Sequence, residues 1–218
     1  MIASMAAVGL GTLSSSGKTT PPPVDVEPSG SAAAENAMNW PDGPAATIDG
    51  TKPYVATVGT NKGQIKIQLD TGAPKAVNSF AFLAGNGFYN GNEFFFVSKK
   101  LGAVAGDPTC KADSSQVCSG LGGPGYTLDL ENQSQPHAQW SVVAPYVSEG
   151  EARMHGSQFR ILYGADPRLD GKETVFGKVV LGQDILQSLA DTNCVGTDAS
   201  KCAGSTLVIQ DVSVAPAT

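Results

Sequence analysis

Four cysteines, two histidines and a scatter of carboxylates are the side chains of this sequence that could do chemistry. The cysteines fall as two close pairs, Cys110 with Cys118 and Cys194 with Cys202. Neither pair has the gap of about two to four residues that makes a zinc knuckle, and each encloses a polar stretch that reads as a loop. Four cysteines allow three connectivities, among which sequence alone does not choose. Two local disulfides are the expectation, against free thiols, and they imply an oxidising compartment outside the cytoplasm. His137 and His155 are isolated in sequence, so no metal site is expected. Ser16-Gly17-Lys18-Thr19 has the end of a phosphate loop, but the earlier glycine is out of register and prolines follow where a helix must start. Gly120, Gly122 and Gly125 have dinucleotide spacing without a strand before them or a helix after. Asp166 with Asp170-Gly171 hints at a calcium loop that lacks its terminal acid. No serine sits in a nucleophile elbow. Neither hydrolysis, redox catalysis nor a cofactor is expected.

The elements that must position these residues follow from composition and pattern. The chain has 218 residues, 41% apolar and 16% charged, with a formal charge of −6. That balance excludes wholesale disorder, and an acidic chain without a basic cluster argues against nucleic acid. With 26 glycines and 14 prolines, composition argues against a helical bundle, and short strands joined by turns fit better. Gln64–Leu69 alternates strictly, Tyr54–Val58 alternates before it, and the two pair across Asn61-Lys62-Gly63. A helix starts at Pro74, with Ala76, Val77, Phe80, Leu83 and Ala84 on one face, and ends at Gly85 or Gly87. Phe94–Val97, Gln139–Ala144, Gln158–Tyr163, Thr174–Val180 and Thr206–Val214 read as strands, and Asp184–Asp191 as a second helix. The expected fold is mainly β: a closed antiparallel barrel of about eight strands capped by two α-helices.

The order of segments resembles the cyclophilin-type peptidyl-prolyl isomerases. Ala73-Pro74-Lys75-Ala76-Val77-Asn78-Ser79-Phe80 is similar to their first helix and Gly87-Phe88-Tyr89-Asn90-Gly91 to the turn after it. Gly106-Asp107-Pro108-Thr109, Gly122-Gly123-Pro124-Gly125-Tyr126, Gly156-Ser157-Gln158-Phe159, Leu169-Asp170-Gly171 and Thr174–Val180 continue the series. The resemblance runs from about Tyr54 to Val214.

The resemblance implies a groove in which an arginine hydrogen-bonds at the prolyl amide, a glutamine positions the peptide and an apolar floor holds the proline ring. The reaction lowers a barrier of about 18–20 kcal/mol by placed donors, without a covalent step. Carried over residue by residue, the groove positions are Phe96, Leu101, Gly102, Val104, Ala144, Gln158, Phe159, Arg160, Arg168, Leu169 and Glu173. Phe96 stands where the family has its arginine, Leu101 and Gly102 where it has floor residues, and Val104 where it has the glutamine. Arg160 replaces a phenylalanine, Arg168 a tryptophan and Glu173 a histidine. Ala144-Pro145-Tyr146 takes the place of the strand that receives peptide backbone, and proline removes a donor there. No catalytic residue is therefore assigned. Phe94 and Phe96 are expected in the core, leaving Phe95 exposed for a partner.

Residues 1–13 are apolar, too short to span a bilayer and without a basic flank. They read either as an irregular tail or as the trailing end of a membrane anchor. Residues 14–50, with Pro21–Pro23, read as an extended linker running along a partner and anchored by Trp40, and 51–218 as the domain. The expected function is an inactive, extracytoplasmic scaffold subunit (periplasmic or cell-surface side) of a membrane-associated, multi-subunit protein complex. An active isomerase assisting protein folding and a non-catalytic peptide-binding module are the alternatives.

Overall fold

A computed structural model describes residues 38–115, 117–148, 152–192 and 206–217. The expected pair Cys194–Cys202, the apolar segment 1–13 and residues 14–37 lie outside the described residues. Strands β1 (Tyr54–Thr60) and β2 (Gly63–Leu69) form the hairpin that the alternation predicts. Tyr54, Ala56, Val58, Thr60, Ile65, Ile67 and Leu69 are the buried positions, one face of the pleat. Helix α1 (Pro74–Gly85) buries Val77, Phe80 and Leu83. Its first-turn N–H groups are capped from a distance: Lys75 N and Ala76 N donate to the Glu131 carboxylate at 3.1 and 2.9 Å.

The chain continues through β3 (Phe96–Ser98), β4 (Gly102–Ala105), β5 (Thr127–Asp129), β6 (Ser141–Ala144), β7 (Arg153–His155) and β8 (Phe159–Ile161). A 3₁₀ turn (Pro167–Leu169), β9 (Thr174–Leu181), α2 (Gln183–Thr192) and β10 (Ile209–Pro216) complete it. Eight strands form one strongly curled antiparallel sheet in the order β10-β1-β2-β9-β6-β8-β4-β3, and β5 pairs with β7 apart from it. The sheet's two ends meet ahead of β3 through an irregular bridge. Phe94 N donates to Leu207 O at 3.0 Å and Ile209 N to Asn92 O at 2.8 Å. Inside the curl Phe80 lies 5.0 Å from Tyr89 and 5.6 Å from Phe159, ring centre to ring centre. Leu186, Leu189 and Ala190 of α2 close the core beside β2, β3 and β4.

Two expectations change. Residues 38–50 are not free of the domain: Met38, Trp40 and Ile48 pack on its core. The Trp40 ring lies 5.2 Å from Phe82 and 6.2 Å from Phe88, and the Trp40 backbone N–H donates to Pro124 O at 2.8 Å. Further along, Asn78 ties this strap to α1, accepting from Thr47 N and donating to Ala45 O. The linker-like composition conceals three spaced apolar anchors. The second change concerns the aromatic run. Phe94 is core, but Phe96 faces outward and is half-buried, while Phe95 is also half-buried. Alternation starts only at β3, because Phe94 belongs to the irregular bridge. Among the described residues no helix is long and apolar enough to cross a membrane.

Candidate functional site

Register sets the groove. Phe96 pairs with Val104, Val104 with Arg160, and Arg160 with Val143. Directly opposed residues of antiparallel strands share a face, so these four form one row across β3, β4, β8 and β6. The neighbouring row, Val97, Ala103, Ile161 and Val142, is fully buried. The first row is consequently the outer face, and it brings Phe96, Val104 and Arg160 together, though Phe96 carries no polar side-chain atom.

Arg160 is the charged member of the row, and its side chain is 14% exposed. Its Nη2 donates to Glu173 Oε2, on a side chain only 2% exposed. Glu173 reaches it because the residue precedes β9, whose Thr174 pairs with Ala144 at the end of β6. Behind Glu173 lies His137, wholly enclosed. Its Nδ1 is 2.9 Å from Asp170 Oδ1, an oxygen that also accepts from the His137 backbone N–H at 2.8 Å, and its Nε2 is 3.8 Å from Glu173 Oε2. Arg160 Nε and His137 Nε2 are buried without a hydrogen-bond partner. Burial pushes the Glu173 carboxyl up, against the opposing pull of Arg160. The His137 N–H groups hold Asp170 below the usual carboxylate range.

A groove of about 740 Å³ opens beside Arg160, the member of the row that lines it, and Leu101, Tyr146, Arg168, Leu169 and Lys172 are among its other walls. Arg168 is 78% exposed and donates from Nε and Nη2 to the two oxygens of Asp166, each at 2.8 Å. That fork lowers the Asp166 carboxyl, with Arg160 adding to the pull.

Other expected groove positions are placed elsewhere. Phe159 is turned into the core against Phe80, Tyr89 and Phe94. As the residue next to Arg160 in β8, it points to the opposite face. Gly102 is buried with φ of 98°, and a Cβ there would collide with the carbonyl oxygen of Ile161. A floor methionine does not fit this backbone. Ala144 is buried in β6. Gln158 is buried and spends its amide on the loop ahead of β5, donating to Gly120 O and Gly122 O at 3.1 and 2.8 Å.

That loop is internally tied. Cys110 and Cys118 form the expected disulfide, with Cα atoms 4.4 Å apart. Buried Asp107 accepts from Thr109 N at 2.7 Å and Gly122 N at 2.9 Å. Lys111 Nζ donates to Phe88 O and Asn90 O, and burial pushes its ammonium down to about 8. A second cavity of about 800 Å³ lies between this loop, the strap at Pro41–Pro44, Val147 and His155. Sequence reasoning missed the Glu131 cap and the His137–Glu173 contact. No sequence signal pointed to the latter, because three strands and a 3₁₀ turn separate His137 from Glu173.

A family model described as cyclophilin type peptidyl-prolyl cis-trans isomerase/CLD matches residues 55–214. The peptidyl-prolyl cis-trans isomerase of Helicobacter pylori is 35% identical over 137 residues, 62% of this chain and 77% of its own length. Peptidyl-prolyl cis-trans isomerase B of Bacillus subtilis is 34% identical over 119 residues, 55% of this chain and 77% of its own. Among solved structures, a cyclophilin type peptidyl-prolyl cis-trans isomerase of Cryptosporidium parvum superposes with a TM-score of 0.64 at 25% identity. It covers 76% of this chain and 99% of its own. That protein was also solved in the presence of the dipeptide Ala-Pro.

Proposed function

The chain belongs to the cyclophilin-type peptidyl-prolyl cis-trans isomerase family, and on that premise we propose that it is a member without ordinary isomerase activity, serving as an extracytoplasmic scaffold subunit of a membrane-associated complex. One observation carries this reading: the outer row holds Phe96 where the resemblance calls for arginine, and the row's own guanidinium is engaged by Glu173. A donor already bound to a buried carboxylate is not free to meet an amide whose conjugation is breaking. Val104 supplies no amide, Gln158 is committed to two loop carbonyls, and Pro145 lacks an N–H. Losing one preorganised donor costs about 10²–10³ in rate, and here several are missing together.

The Cys110–Cys118 disulfide supports a place outside the cytoplasm. Attachment to the complex is assigned to residues 1–37. The second reading, a working isomerase, is favoured by Arg160 standing only two strands from Phe96 on the same face. Proline cis/trans relaxation of a test peptide, measured with the purified chain, separates them. The scaffold reading expects a rate near the uncatalysed one. Turnover within about tenfold of the family's ordinary members would transfer the donor role to Arg160 and sink it.

A further inference from the structure

We propose that the groove over Arg160 recognises an acidic segment of a partner polypeptide, a carboxylate taking the place where the family resemblance puts a proline ring. The inference rests on the scaffold reading and names the chemistry of its partner. Among the described residues, three cationic side chains, Arg160, Arg168 and Lys172, line the groove, against one acid, Asp166. They do so on a chain of formal charge −6, so the local sign opposes the global one and focuses anionic ligands there.

Both guanidiniums are held in place, and Arg168 keeps a donor to spare. Asp166 grips Arg168 through Nε and Nη2; Nη1 is left for a ligand, on a side chain 78% exposed. Glu173 grips Arg160 through Nη2, and the Arg160 Nε is enclosed away from solvent, so Arg160 gives the groove a fixed positive charge while Arg168 gives it the donor. Glu173 is not a groove wall: it lies behind Arg160, so a ligand entering from solvent meets the guanidinium first. Planar donors in a fixed fork suit a carboxylate better than an apolar ring does. Leu101, Tyr146 and Leu169 add apolar walls for the stems of neighbouring side chains. Side-chain and C-terminal carboxylates share this chemistry, and the experiment distinguishes them.

Isothermal titration of the full chain with four peptides tests the inference. Three are acetylated and amidated, Ala-Ala-X-Ala-Ala with X as Glu, Gln or Pro; the fourth is the Gln peptide with a free C-terminal carboxylate. The Glu peptide should bind about tenfold tighter than the blocked Gln and Pro peptides. The advantage should shrink as NaCl rises from about 20 to about 200 mM. Arg168→Gln, on an exposed side chain that does not carry the fold, should bring Glu down to the Gln level, and Arg160→Gln should do the same. Equally tight binding of the free-carboxylate Gln peptide would identify a chain terminus as the ligand. Preference for Pro, equal binding of Glu and blocked Gln, no binding at all, or an unchanged Arg168→Gln would each overturn the inference. Proline relaxation measured on the same samples keeps the two readings apart. Turnover together with a Glu preference sinks only the scaffold reading; no turnover without a Glu preference sinks only this one.

Discussion

Arg160 and Glu173 form a pair whose value lies in being complete. Removing one partner leaves a charge in a poorly solvated place, which costs several kcal/mol, whereas replacing both with apolar groups is often neutral. Glu173→Ala should therefore lower unfolding free energy by about 3 kcal/mol in urea titrations, and Arg160→Met with Glu173→Leu should recover most of it. Recovery failing would mean that His137 and Asp170 depend on the carboxylate as well. Lys111 offers a pH test. Its ammonium titrates near 8 in the fold and at 10.5 when unfolded, so between those values the unfolded chain binds more protons and stability rises with pH. Against Lys111→Met, the wild-type chain should gain stability from pH 8 to 10.5, and ¹⁵N NMR should place the Nζ titration near 8. At this scale the substitutions Phe96, Val104, Arg160 and Glu173 were readable in sequence, since register follows the motif order. Their electrostatic coupling was not: nothing in the linear spacing of His137, Arg160 and Glu173 says that three turns of chain converge on one carboxylate.

The strap and the disulfide loop are elements whose stability contributions can be separated. Trp40→Ala removes a large ring from Phe82 and Phe88 and should cost about 3 kcal/mol, or about 9 °C in melting temperature. Deleting residues 1–50 should match that loss, where a free linker would leave melting unchanged. Cys110→Ser with Cys118→Ser should cost about 2 kcal/mol and raise amide exchange at Gly120 and Gly122. The rise would be expected because Gln158 then holds a loop that the covalent tie no longer closes. Exchange left unchanged would mean that Asp107 alone keeps the loop shut. Elements with an apolar rhythm, β1, β2, α1 and β9, were legible within a residue or two. The strand β4, Gly-Ala-Val-Ala, carries little size contrast, and β5 and β7 are three residues each. Such segments become strands through their partners rather than their own pattern.

For the molecule as a whole, the curled sheet with two helices is what the sequence pattern implies, and ordered motifs over three quarters of the chain made it legible. Activity is not set by fold. Phe96→Arg alone should leave proline relaxation near the uncatalysed rate, because Val104, Gln158 and Pro145 would still fail to position a peptide. A substantial gain would reduce the deficit to one missing donor. The strap also decides how the domain bears load. A pull arriving on the N-terminal side of Met38 reaches Trp40 first, and the ring leaves Phe82 and Phe88 by peeling, one contact after another. The Ala45 and Thr47 bonds to Asn78 and the Ile48 contact give way next, and then tension passes to β1, which is bonded along both edges, to β10 and to β2, and resists in shear. The domain thus carries a weak fuse in series with a strong clamp: a tether can yield by the length of residues 41–53 and absorb a jolt while the groove across β3, β4, β8 and β6 keeps its shape.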